Sequence, residues 1–139
     1  MRARRSRPHR SAAVAVELAL VLPFLTLMFA LAVDFGRVYY TTQVLQTAAA
    51  TGVASASGTT WVPTTSGTPA QAAQTAACAE GASLNPPLGT NQVAVAFSGN
   101  LVTVTVNYNF PLLTGFLVQG GTVPLQTSVT ASVAPEPGN

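Results

Sequence analysis

The sequence predicts an α+β protein. A long N-terminal transmembrane helix continues into a small head, where a short second helix meets a three-stranded antiparallel sheet. Three observations predict this. An apolar run with a single charge, Glu17, fills residues 12–33. Small residues at three- and four-residue spacing follow it, a helical period. Beyond residue 92 the pattern changes to alternation of apolar and polar residues, the period of a strand.

The first element is the apolar run. The 22 residues from Ala12 to Val33 span about 33 Å as a helix, close to the hydrocarbon thickness of a bilayer. Pro23 lies mid-run and removes a backbone hydrogen bond, so a kink is expected there. Five of the six basic residues, Arg2, Arg4, Arg5, Arg7 and Arg10, precede the run, and the sixth is Arg37. That asymmetry predicts a cytoplasmic leader with everything after Val33 on the far side of the membrane. Asp34, Arg37, Tyr39 and Tyr40 then fall at the membrane interface, where tyrosines suit the headgroup layer. A cleavable secretory signal ending at Ala54-Ser55-Ala56 is the competing reading. The spacing opposes it, because more than twenty residues, Asp34 and Arg37 among them, separate the apolar run from that site.

Past the membrane, Val38, Thr41, Leu45, Ala48, Gly52 and Ser55 form a helical stripe to about Ser57. Its distal part is expected to pack on the protein's own sheet, and its membrane-proximal part on that sheet or on a neighbouring subunit. The Thr/Ser/Gly/Pro-rich segment 57–69 reads as a loop. Trp61 within it either covers the core or anchors a partner. "PAQAAQTAACAEGASL" is a short second helix, ended by Gly81 and Pro86-Pro87. "QVAVAFSGNLVTVTVNYNF" is a β-hairpin around Ser98-Gly99-Asn100. Val93, Val95 and Phe97 with Val102, Val104 and Val106 should form one buried face, and Pro111 should end the second strand. "PLLTGFLVQGGTVP" reads as a connecting loop, whose Leu112, Leu113, Phe116, Leu117 and Val118 either cap the sheet or meet a partner. "LQTSVTASVAP" supplies the third strand. The expected divisions are a leader at 1–12, a membrane helix at 13–33, its extension at 34–57, a head at 58–134 and a tail at 135–139.

Composition narrows the function. Charged residues are 7% and apolar residues 48%, against a usual charged share of about 25%, which favours membrane or assembly contacts. No Lys or Arg follows Arg37, so the head offers no basic groove and no nucleic-acid partner is expected. One cysteine, Cys78, excludes an intramolecular disulfide and a multi-cysteine metal site. It reads as a small buried hydrophobe, with pairing between chains as the other reading. The single histidine, His9, has no Cys or acid beside it. No Gly-x-Ser-x-Gly elbow occurs, and Gly120-Gly121 lacks the neighbours of a phosphate loop. A non-enzyme is expected, with no catalytic residues, metal, cofactor or small-molecule substrate.

Glu17 is the residue that asks for a function. An acid in a membrane helix is costly unless it is paired or near the interface. One reading has it reaching the headgroups, although Glu is shorter than Lys or Arg. The other gives it a partner. Cleavage after Ala12 would create an α-amino group at Ala13, with Glu17 at mature position five. The amine of one subunit would then neutralise Glu17 of its neighbour and help set register in a helical bundle.

These residues carry a resemblance. A basic tail, a small residue, four apolar residues, Glu and an apolar run with Pro resemble the N-terminus of a type IV-type pilin or pseudopilin. More narrowly, "AAVAVELALVLPFLTLMFALAVDFGRVYYTTQVLQTAAATGVASAS" resembles the TadE-like family, minor pilins of the tight-adherence (Flp pilus) assembly systems. Ala13 to Pro23, Asp34, Gly36, Arg37 and Ala48 to Ala50 match its pattern. Two positions depart from it: Ala12 stands where Gly is usual before the cut, and Leu18 stands where an aromatic is usual. The resemblance implies a pilin-like head, Ala12 and Ala13 as the processing site, and Glu17 as the subunit-pairing residue. It also implies a prepilin peptidase, other pilins and an assembly platform as partners, and a place in the inner membrane or a pilus. Losing the leader would leave Arg37 against four acids, a side-chain net charge of −3. The alternative is an unprocessed single-pass membrane protein with an outward-facing binding domain.

Overall fold

Residues 9–57, 68–115 and 121–133 are described by the computed structural model, with side chains from residue 12 onward. A single α-helix, α1 (His9–Ser57), takes up 49 residues, a rod of about 70 Å. It continues through Pro23, whose ring nitrogen cannot donate to the Ala19 carbonyl. One turn on, the Thr26 hydroxyl donates to the Leu22 carbonyl at 2.9 Å. The two halves of α1 differ in what surrounds them. Over the apolar run Val14, Leu20, Phe24 and Phe29 all stand exposed, and none of the helix's most apolar window is buried by protein. A helix apolar on every side needs lipid or other protein around it.

From Thr41 onward α1 has one buried face: Thr41, Leu45, Ala48, Ala49, Gly52, Val53 and Ala56. Thr41, Leu45, Ala48 and Gly52 of the stripe seen in the sequence lie in this face, whereas Val38 and Ser55 are only half-buried, and the distal part of the face packs against the protein's own sheet. The second helix, α2 (Pro69–Glu80), lies on α1. Its start is fixed by a capping box. The Gln71 amide donates to Thr68 Oγ1 at 3.4 Å, and the Thr68 amide donates to Gln71 Oε1 at 3.1 Å. Proline at the first helical position and Gly81 just past the last complete the punctuation. Ala73 and Ala77 are fully buried against α1.

Gly52 faces α2 where the two helices pack together. A Cβ there would stand 3.1 Å from the Ala73 carbonyl oxygen and 3.4 Å from Ala77 Cβ and Val104 Cγ1. Gly52→Val is therefore expected to overpack this crossing and cost about 1–3 kcal/mol, read as a lower thermal unfolding midpoint of the detergent-solubilised chain.

Strands β1 (Val93–Ser98), β2 (Leu101–Pro111) and β3 (Thr122–Ser132) form one antiparallel sheet in the order β1-β2-β3. Ser98 pairs with Leu101 across a two-residue turn. Gly99, with φ +56°, takes the first turn position that a II′ hairpin reserves for glycine. The inner face of β2 presents Val102, Val104, Val106, Tyr108 and Phe110, all buried beneath α1. Each such side chain contributes about 1.5–3 kcal/mol by leaving water. The outer face is hydroxyl-rich, with Thr103–Thr130 and Thr105–Ser128 side-chain bonds of 2.8 and 3.1 Å joining β2 to β3.

Two expectations need correction. Phe97 is 50% exposed rather than part of the buried face; burial falls from Val93 through Val95 to Phe97 because the helices cover the start of this edge strand and not its tip. Strand β3 begins at Thr122, not Leu125, and includes Pro124 opposite Asn109. An edge strand has one row of N–H groups with no ladder to join, so a proline is tolerated. Of the apolar loop residues, Leu112 packs against the core and Leu113 is exposed. Phe116, Leu117, Val118 and Trp61 lie outside the described residues. Cys78 is half-buried, and burial pushes its thiol up, away from the reactive thiolate.

Candidate assembly site: the anchor helix and its Asp34 junction

Everything singled out in the sequence as a site lies on α1, so helical geometry sets the distances between them. Ala12, Ala13 and Glu17 occupy its first turns, all exposed. Glu17 lies five positions after Ala12, about 7.5 Å along the axis. The one ion pair among the described residues joins Asp34 to Arg37. Glu17 thus has no cation beside it among the described residues. Sixteen residues of apolar helix, about 25 Å, lie between Glu17 and the next acid, Asp34.

Asp34 lies one residue beyond the apolar run, at the level expected for the membrane interface, but its carboxylate faces protein and its side chain is 5% exposed. It reaches the loop after β2. The Leu113 amide donates to Oδ1 at 2.9 Å, and the Thr114 amide donates to Oδ2 at 2.8 Å. The Thr114 hydroxyl adds a third bond, to Oδ2 at 2.7 Å. Arg37, three residues on along α1, donates to Oδ1 at 3.2 Å. Its guanidinium also stands 5.0 Å from the centroid of Phe110, in range of a cation–π contact.

Burial pushes the Asp34 carboxyl up, but the Leu113 and Thr114 bonds, with Arg37, outweigh it and hold the group below its ordinary value. The junction is a clasp. It fixes the base of the sheet to the helix where the helix leaves its apolar run. Above it, Tyr108 donates its hydroxyl to the Pro86 carbonyl at 2.7 Å, and burial raises this phenol despite the nearby Arg37.

Arg37, Tyr39 and Tyr40 share this level of α1, both tyrosines well exposed. Asp34 and Arg37 stand out in the sequence without their partners. Leu113 and Thr114 lie some 80 positions away, and no local pattern marks a loop amide as the acceptor's mate. The unused signal was the acid itself, since a carboxylate at the end of an apolar helix needs donors. Among the described residues no cluster of metal-ligating side chains forms, and the arrangement provides anchoring and charge pairing.

Comparison with known proteins bears on the same helix. Neither a curated protein nor a solved structure matches the chain. Residues 12–54 match the family model described as TadE-like protein. The match runs from the residue before the expected cut, through Glu17, Pro23 and the Asp34–Arg37 clasp, to the buried stripe under the sheet. Over residues 12–54, the stretch of α1 that carries Ala12, Ala13, Glu17 and the helix side of the clasp, the chain is similar to the TadE-like family.

Proposed function

We propose that the protein is a structural minor pilin or pseudopilin of a tight-adherence (Flp-type) pilus system. A prepilin peptidase removes the leader after Ala12. The new Ala13 amine of one subunit then pairs with Glu17 of the next as the helices pack side by side. The leader faces the cytoplasm, α1 crosses the inner membrane, and the head projects outward to meet other pilins and the assembly platform.

The observation that carries this reading is Glu17 itself. It is an exposed acid on an apolar helix, with no cation beside it among the described residues, in a stretch that matches the TadE-like model. A buried ion pair between subunits is a good register device, because the wrong register leaves a charge uncompensated in an apolar medium. The clasp at Asp34 supports the reading in a second way. It makes the head rigid with the helix, so the register set in the membrane is transmitted to the heads outside.

Ala12 in place of glycine favours the second reading, an unprocessed membrane protein whose outward domain binds envelope components. Fractionation separates the two. A subunit appears in fibres sheared from the cell surface and disappears from them in a strain lacking the peptidase. An unprocessed anchor protein stays wholly in the membrane fraction of both strains.

A further inference from the structure

Where α1 leaves its apolar run, a groove of about 350 Å³ opens between the helix and the base of the sheet. Val33, Gly36, Arg37 and Tyr40 form its helix wall, and Asn85 and Phe110 face them. It is of the size of small-ligand clefts, at the low end of their ~300–1,000 Å³ range. We propose that this groove holds the headgroup of a membrane phospholipid, with the phosphodiester on Arg37. The inference rests on the membrane placement of α1 and not on leader cleavage.

Position argues for a lipid. Val33 ends the apolar run, so the groove begins at the depth where hydrocarbon gives way to headgroups. A lipid seated there keeps its acyl chains against the exposed apolar side chains lower on α1, among them Phe29. Charge argues for the phosphate. Arg37 is the one basic residue after position 10, and its side chain is 37% exposed. It gives one N–H to Asp34 and retains others, the planar fork that suits phosphate oxygens. The Asp34 carboxylate is not in the groove wall; it is turned inward onto Leu113 and Thr114. The exposed Tyr40 and Asn85 at the rim add polar groups for the glycerol and headgroup oxygens.

Gly36 lines the groove and supplies its test. A Cβ there meets nothing within 4 Å, so a larger side chain can start from the groove wall without a clash at its first carbon. The full chain is reconstituted in phosphatidylcholine nanodiscs with a trace of spin-labelled phosphatidylglycerol, and the motionally restricted lipid is measured by electron spin resonance. The wild type is expected to restrict lipid. Gly36→Leu, which fills the groove, and Arg37→Gln, which removes the cation, should each weaken retention about tenfold, the scale of one charge-assisted hydrogen bond. Unchanged protection of the Leu113 and Thr114 amides in Gly36→Leu verifies that its clasp is intact. Added inorganic phosphate should leave the restricted lipid in place, since the acyl chains contribute to holding it; displacement by phosphate overturns the lipid assignment. So does a wild type without restricted lipid, a Gly36→Leu variant that retains it, or a Gly36→Cys variant that cross-links between copies through a lipid-free groove. A chain absent from the membrane fraction would instead sink the anchor reading beneath it.

Discussion

Glu17→Gln is expected to deplete the chain from sheared fibres by about 100- to 4,000-fold while leaving it in the membrane. The size follows from what the substitution leaves behind. Removing one partner of a buried ion pair costs about 3–5 kcal/mol, because the other charge remains uncompensated, and each ~1.4 kcal/mol is tenfold in association. Here the stranded charge is the Ala13 amine of the neighbouring subunit. Glutamine keeps the length and a carbonyl acceptor, so the loss reads out charge and not shape. Membrane insertion is not weakened, since the variant helix is less costly to place in hydrocarbon. Quantitative immunoblots of sheared and membrane fractions measure both effects. Equal incorporation of wild type and Glu17→Gln would mean that Glu17 only reaches toward headgroups.

The second large effect is at the clasp. Asp34→Ala removes the acceptor for two backbone amides and one hydroxyl at a buried site. A buried donor left unsatisfied costs about 1–3 kcal/mol. Arg37, partly exposed, can turn to water, so the two amides and the buried Thr114 hydroxyl carry the loss. We expect about 2–5 kcal/mol of local destabilisation, seen as amide exchange at Leu113 and Thr114 faster by about 30- to 4,000-fold. Asp34→Asn should fall between the two, because one carboxamide oxygen cannot replace two carboxylate oxygens. The pH dependence has a definite sign. The folded carboxyl lies below its unfolded value of about 3.9, so its contribution is complete above that value and is lost as pH falls through the lower folded one. Protection corrected for intrinsic exchange should therefore be flat from pH 7 to about 5 and fall below about 4. Unaltered exchange in Asp34→Ala would remove the clasp from the account.

The elements with strong periodicity were legible in the sequence, and those that depend on distant partners were not. The stripe of Leu45, Ala48 and Gly52 announced the buried face of α1 because helical spacing alone decides which residues share a face. Val102, Val104 and Val106 announced the inner face of β2 for the same reason at period two. Phe97 carried the same signal and misled, because alternation says which side of the sheet a residue takes and not how far the helices extend over it. Pro124 hid the start of β3, since proline argues against a strand unless that strand is known to be an edge. Glu17 stood out through its cost in an apolar run. The clasp was half legible: Asp34 and Arg37 were visible as charges at the exit of the run, whereas their partners Leu113, Thr114 and Phe110 were brought there by the sheet.

As proposed, this chain becomes a subunit by losing its leader and pairing the new amine with Glu17. Mass spectrometry of the protein's N-terminus, in cells with and without their prepilin peptidase, reads that step out. A chain starting at Ala13 is expected in the first strain and an intact leader in the second. A leader intact in both strains would overturn the proposal and leave a membrane-anchored protein whose Glu17 has no amine to meet.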